Sequence, residues 1–198
     1  YDTLSGDQIT TVKYKQSSFT LNLTSFIEGL YNSVSNSMIS DTVKVCLRST
    51  VSPYNQIDSV KGILSTSGTG TFYFSNAADG INYYIVVKHR NGLETWSSTG
   101  NSFTSGSMTY DFSTAANKSY GSNQMQADAS PSRYAFYSGD VNKDGYIDLT
   151  DVIYINNDAN NFSSGYIVSD ITGNNITDLT DVIMAYNNAN IFVSVKKP

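Results

Sequence analysis

The sequence predicts a mainly β chain: a β-sandwich followed by a small α-helical module. Three observations carry this. Short apolar–polar alternations recur from residue 18 to residue 112, separated by Gly, Asn and Ser turn signals. Only three prolines interrupt the 198 residues, and aromatic side chains, mostly Tyr, are abundant, as suits strands. Near the C-terminus the pattern changes, and an Asp/Asn-rich stretch running into Leu-Thr-Asp-Val-Ile occurs twice, at 140–153 and 170–183. The expected divisions are an extended lead over 1–16, a sandwich over 17–136 and the repeat module over 137–198.

The lead is polar, with strand propensity from Ile9 to Lys15 and no neighbour in sequence to pair with. It reads as a peripheral strand, a linker, or a segment that adds to another molecule's sheet edge. Phe19, Leu21 and Leu23 then alternate with Thr20, Asn22 and Thr24, the pattern of a half-buried strand. A long polar loop is expected over Tyr31 to Ser40. In Thr42 to Arg48, Val43, Val45 and Leu47 share one face and Cys46 takes the other, which predicts a half-buried, inert thiol. A lone cysteine makes no internal disulfide. Ile57 to Leu64 is the next strand, and in Gly70 to Phe74 both Phe72 and Phe74 share a face. Ala78-Asp79-Gly80 turns the chain into Ile81 to His89. Asn91-Gly92 is a hairpin signal, with a return expected over Leu93 to Ser97. Met108 to Phe112 and Arg133 to Tyr137 complete the strands, with a small, polar boundary region over 115–131 between them. Only Ser138-Gly139 separates the last strand from Asp140, so the module is expected to pack rigidly on the sandwich.

The first repeat places oxygen side chains at places 1, 3, 5, 9 and 12 of a twelve-residue loop and a glycine at place 6. A hard cation such as calcium takes six to eight oxygens, and this is the ligand pattern of a calcium loop of the EF-hand kind. Asp140, Asn142 and Asp144 would supply side-chain oxygens and Tyr146 its backbone carbonyl. Asp148 would act directly or through water, and Asp151, an Asp where such loops usually carry Glu, would close the site. In the second repeat the corresponding set is Asp170, Thr172, Asn174, Ile176, Asp178 and Asp181, with Asn175 in place of Gly145. The first loop holds four carboxylates and the second three, so two ions are expected, the first bound more tightly.

Two loop–helix calcium units at this spacing resemble a dockerin, the module that plugs bacterial secreted proteins into cohesin partners. The resemblance covers roughly Tyr137 to Val195 and implies loop–helix, linker, loop–helix with a pseudo-two-fold axis. Places 10 and 11 are Leu149-Thr150 and Leu179-Thr180, and no Lys-Arg pair follows on either helix, unlike cohesin-binding members. Further upstream, Gly70-Thr-Phe72-Tyr-Phe74, Gly80 and Tyr84-Ile-Val-Val-Lys-His89 resemble the transthyretin-like or carboxypeptidase-regulatory-like sandwich, over residues 17–113. That family implies spacers and adhesin modules of immunoglobulin-like architecture without catalytic residues.

Net charge is −5, and residues 131–198 hold eight acids against four Lys/Arg. The acidic excess therefore belongs to the loops, and no basic patch points to nucleic acid. No apolar run is long enough to span a membrane. Lysine and glutamate are scarce, and a surface of Asn, Thr, Ser and Tyr fits an extracellular bacterial protein, secreted or on the cell surface. Beginning at Tyr1, the chain reads as a processed mature protein or a fragment of a longer one. Enzyme readings are poorly supported. His89 is the only histidine and continues the inward set of Tyr83, Ile85 and Val87. Glu28 and Glu94 are the only glutamates, too isolated in sequence to argue for a glycosidase pair. Trp96 with Tyr73, Tyr83 and Tyr84 could stack on sugar rings, but strand aromatics more often fill a core. The expectation is a non-catalytic, calcium-binding structural or assembly protein, a filament or surface subunit that joins copies of itself or another extracellular protein. The rivals are an accessory region of a larger secreted enzyme and a carbohydrate-binding module.

Overall fold

The computed structural model describes residues 18–198, so the expected lead over 1–16 lies outside the described residues. In chain order the elements are β1 (Phe19–Thr24), β2 (Phe26–Ile27), β3 (Tyr31–Asn32), β4 (Ser37–Met38), β5 (Asp41–Ser49), β6 (Gln56–Leu64) and β7 (Thr69–Phe74). They continue as β8 (Asn82–His89), β9 (Thr95–Trp96), β10 (Asn101–Ser102), β11 (Ser107–Asp111), β12 (Met125–Ala129) and β13 (Ser132–Phe136). Two helices follow, α1 (Leu149–Asn160) and α2 (Leu179–Asn190).

The architecture is mainly β, and its body is a sandwich. One layer has the order β11-β1-β7, with β1 antiparallel to β7 and parallel to β11. The other has the order β10-β8-β5-β6, with β9 also on β8. Period-two alternation decides what lies between them. Leu21, Leu23, Phe72 and Phe74 from the first layer meet Val43, Val45, Leu47, Ile85 and Val87 from the second. Burying each such side chain contributes about 1.5–3 kcal/mol before the entropy of ordering is charged against it. A third small sheet, β12-β13-β2, adds Phe26, Ile27, Ala135 and Phe136 to the same core.

Several expectations are corrected. The polar loop over Tyr31 to Ser40 contains a short hairpin, β3 with β4, whose turn is held by the Asn32 side chain accepting from the Val34 and Ser35 amides. The boundary region over 115–131 is partly strand, because β12 pairs antiparallel with β13. Cys46 is fully buried, not half-buried, since a second apolar layer of Val86, Trp96, Tyr54, Tyr84 and Tyr120 covers the outer face of β5 and β8. Asn91-Gly92 is not a tight hairpin. Neither residue has positive φ, and the return pairs Val87 with Thr95 across a wide loop. The reason is that Asn91 is buried and donates its side-chain amide to the Val168 and Asp170 carbonyls, 3.1 and 2.9 Å away. Tertiary hydrogen bonding has overridden the local turn preference.

The helices pack on each other through Val152, Ile155 and Ala185, with Val141 and Ile171 from the loops that precede them. The module is tied to the sandwich by buried polar contacts. Glu28 accepts from the Ser138 amide and from Asn188 of α2, Ser138 Oγ accepts from the Gly29 amide, and Asn188 also reaches the Ser138 carbonyl. Gly29 is needed there because a Cβ would collide with the Ile171 carbonyl. No helix among the described residues is long and apolar enough to cross a membrane.

Candidate metal centre

Both loops share a local pattern in which short polar side chains accept the amide two residues on. In the first, Asn142 Oδ1 accepts from Asp144 N, Asp144 Oδ1 from Tyr146 N, and Asp148 Oδ1 from Thr150 N, at 2.9, 2.9 and 2.7 Å. In the second, Asn174 accepts from Ile176 N and Asp178 from Thr180 N, at 2.9 and 2.7 Å. Places 4 and 6 of each loop have left-handed backbone: Lys143 and Gly145 in one, Gly173 and Asn175 in the other. The glycine has moved between places 6 and 4, which sequence reading of place 6 alone did not anticipate.

Places 9 and 12 also start the helices. Asp148 and Asp178 are N-caps, and Asp151 and Asp181 at the third helical position close reciprocal capping boxes. Asp151 accepts from the Val141, Asn142 and Asp148 amides, and Asp181 from the Thr172 and Asp178 amides. The closing carboxylates are thus fixed in orientation, both fully buried beneath their loops.

Each loop keeps one buried oxygen without a partner: Asp140 Oδ1 at place 1 of the first and Thr172 Oγ1 at place 3 of the second. Such an atom is costly unless something polar meets it. Burial raises the Asp140 carboxyl to about 6 against the pull of the nearby Lys143 charge, with the Asp151 and Asp144 charges adding to the rise. Burial likewise raises Asp151 and Asp170. Carboxylates gathered this way repel one another and fit a cation. Among the described residues no three His, Cys, Asp or Glu side chains already converge as a closed cage. The residues present fit calcium through the mixed set of carboxylate, amide, hydroxyl and carbonyl oxygens, not through acids alone.

The loops are strapped to each other reciprocally. Ile147 N donates to Val193 O and Val195 N to Gly145 O, at 2.9 and 2.8 Å. Thr177 N donates to Ser163 O and Gly165 N to Asn175 O, both at 2.9 Å. The segment leaving each helix therefore pairs with the other unit's loop.

Beneath the second loop lies a charge cluster that sequence reading did not assemble. His89 Nε2 lies 2.9 Å from Asp41 Oδ2, and Arg90 Nε lies 3.2 Å from the same oxygen. Tyr166 OH also donates to Asp41. Burial opposes ionisation of Asp41, but the hydrogen bonds from His89 and Tyr166 hold its carboxyl well below the usual range. His89 is buried, which pushes its imidazole down despite the Asp41 carboxylate. Its Nδ1 has no partner, in keeping with a neutral ring protonated on Nε2.

The remaining candidates disperse. Glu94 pairs with Lys88 and accepts from Trp96 Nε1, while Glu28 is sealed in the joint, so each glutamate is committed to a different contact. Trp96 is buried with Tyr84, Tyr83 faces the main core and Tyr73 stands exposed, so these four rings form no platform for a sugar.

Exposed apolar side chains are concentrated on the helical units, in matching positions. Leu149 and Leu179, Ile153 and Ile183, and Phe162 and Phe192 are exposed in pairs thirty residues apart, the two Phe at 86% and 87%. The repeat could have revealed Phe162 and Phe192, since the helix tails also match in sequence.

No family model matches the chain, and no curated protein matches it. Solved structures do. The chain is similar to one in the crystal structure of a type II cohesin–X-dockerin complex from Acetivibrio cellulolyticus, a C-terminal interface mutant. The TM-score is 0.52 at 16% identity, over 85% of this chain and 94% of that one. An N-terminal interface mutant of the complex gives a TM-score of 0.46 at 16% identity, over 86% and 92%. At this identity the likeness is one of fold: the chain has a sandwich-based fold of a kind found in a protein–protein assembly.

Proposed function

We propose that the chain is a secreted, non-catalytic assembly protein with a dockerin-like, calcium-binding module that presents the two helices to a protein partner. The observation that carries this reading is the duplication of site and surface together. Two loops with matching side-chain ladders, each with a buried unpartnered oxygen, support two helices exposing matching apolar side chains. Asp140, Asn142, Asp144, Tyr146, Asp148 and Asp151 would hold one ion, and Asp170, Thr172, Asn174, Ile176, Asp178 and Asp181 the second. Bound calcium supplies positive charge that offsets the crowded carboxylates and stabilises the folded form by mass action. Because Asp148 and Asp178 cap the helices, fixing the loops also fixes the direction in which the helices leave them.

The partner surface is apolar. Leu149, Ile153, Phe162 and their counterparts offer side chains that gain by leaving water, and neither helix has a basic residue in its last turn. A protein surface suits this better than a glycan or nucleic acid. The likeness to a chain of a cohesin–X-dockerin complex supports a protein partner of another kind over self-association. Calcium titration by calorimetry, read with light scattering, tests the reading. Two bound ions and a persistent monomer are expected. Growth in particle size would move the reading to self-assembly, and absence of calcium binding at millimolar concentration would overturn it.

A further inference from the structure

The place-1 carboxylates of the two loops are the same residue type at the same register, yet they are neutralised differently. Asp140 has an unpartnered Oδ1, and among the described residues no Lys, Arg or His forms an ion pair with it. Lys143, in its own loop, is near enough for its charge to favour the Asp140 carboxylate, but it makes no ion pair with it and donates to the Gly92 carbonyl at 2.8 Å. Asp170 instead accepts the Asn174 and Asn175 amides, both at 3.1 Å, and its Oδ2 lies 3.8 Å from Arg90 Nη2.

Arg90 is well placed to hold that position. It directly follows β8 and is fixed on every side. Its Nε is paired with Asp41, its Nη1 donates to the Ile167 carbonyl, and its guanidinium lies 4.5 Å over the Tyr166 ring. The side chain is 11% exposed, so little water screens its charge from Asp170, itself almost fully buried. A planar, permanently charged, five-donor group is suited to such a fixed position, unlike a flexible lysine.

We propose that Arg90, from the sandwich, is a built-in counter-ion of the second loop. Its guanidinium, 3.8 Å from the Asp170 carboxylate, holds that side chain in place without calcium, and it weakens calcium binding there relative to the first loop. The inference rests on the calcium reading above. Two effects follow from one charge: the loop is formed in advance, and the arriving divalent ion meets a fixed cation beside its place-1 ligand.

The test is a calcium chloride titration of the full chain, followed by the amide resonances of Gly145 and Asn175, which report the two loops separately. Arg90→Gln is expected to raise affinity at the second loop by on the order of tenfold and leave the first unchanged. Arg90→Lys, which keeps the charge, is expected to stay close to the wild type. Unchanged or weaker binding at the second loop in Arg90→Gln, with the first loop intact, would overturn the proposal. If Arg90→Gln disturbs both loops by loosening the joint, amide exchange of the wild type under chelator decides. Asn174 and Asn175 should exchange about tenfold or more slowly than Asp144 and Gly145; equal rates would overturn it. Absence of calcium shifts at both loops would remove the calcium reading itself and leave the exchange comparison to judge Arg90.

Discussion

The first and second loops share a backbone ladder, a capping box and a helix, and they differ in what surrounds their first carboxylate. Asp140 has one oxygen unmet and a lysine of its own loop nearby without an ion pair, whereas Asp170 is held by two amides and approached by a guanidinium from the sandwich. Local sequence dictates the loop, but a residue eighty positions earlier adds its charge to the loop's own amides around that carboxylate. Two copies of a motif therefore carry the same backbone fold and different charge surroundings.

The comparison can be broken most directly at place 1. Asp140→Ala is expected to weaken calcium binding at the first loop by about a hundredfold or more, and Asp170→Ala to cost the second loop much less. Titration calorimetry on the two variants checks this, and equal losses would mean that the loops are equivalent. The joint is the next largest effect. Asn188→Ala removes a donor from the buried Glu28 carboxylate, whose carboxyl burial already pushes up, and should cost about 2 kcal/mol in urea unfolding. Its counterpart one repeat earlier, Asp158, accepts from the Ser169 hydroxyl, and Asp158→Ala should cost about 1 kcal/mol or less.

Backbone strain sharpens the contrast further. Gly145 has φ of +90°, so Gly145→Ala is expected to cost about 1–2 kcal/mol. Asn175 has φ of +69°, and Asn175→Gly should relieve strain by about 0.5 kcal/mol, both read as shifts in thermal midpoint. The smallest expected effect is one of pH. Because the folded His89 is pushed down from 6.5, the unfolded chain binds more protons below that value, and stability falls as pH falls. Between pH 7 and 6 the loss should be under about 1 kcal/mol, because proton uptake by the folded Asp140 carboxyl, raised to about 6, offsets part of it. His89→Gln should flatten the profile.

How far the molecule was legible in its sequence follows from the range of each interaction. Strands such as β1 and β7 were readable because burial imposes period two on neighbouring residues. The loops were readable because the Asx ladder and capping boxes act within twelve positions. The parallel pairing of β1 with β11 was not, since nothing local records a partner so far along the chain. Asn91 misled as a turn residue because its amide is used by the second unit. Trp96 fills a core, as strand aromatics more often do, but its partners Tyr54 and Tyr120 come from distant stretches that no local pattern names. Arg90 carried no signal of its own, lying between a strand end and a turn signal that pointed to local structure only.

The reciprocal straps have a topological consequence. Because 193–195 completes the first loop and 163–165 completes the second, neither unit has all its backbone partners within its own stretch of chain. The module is a clasp closed by its own two ends, so that trimming the last few residues strikes the loop at the module's beginning. Two such chains could also trade their closing segments and remain fully paired, leaving every local contact intact while linking one molecule to the next.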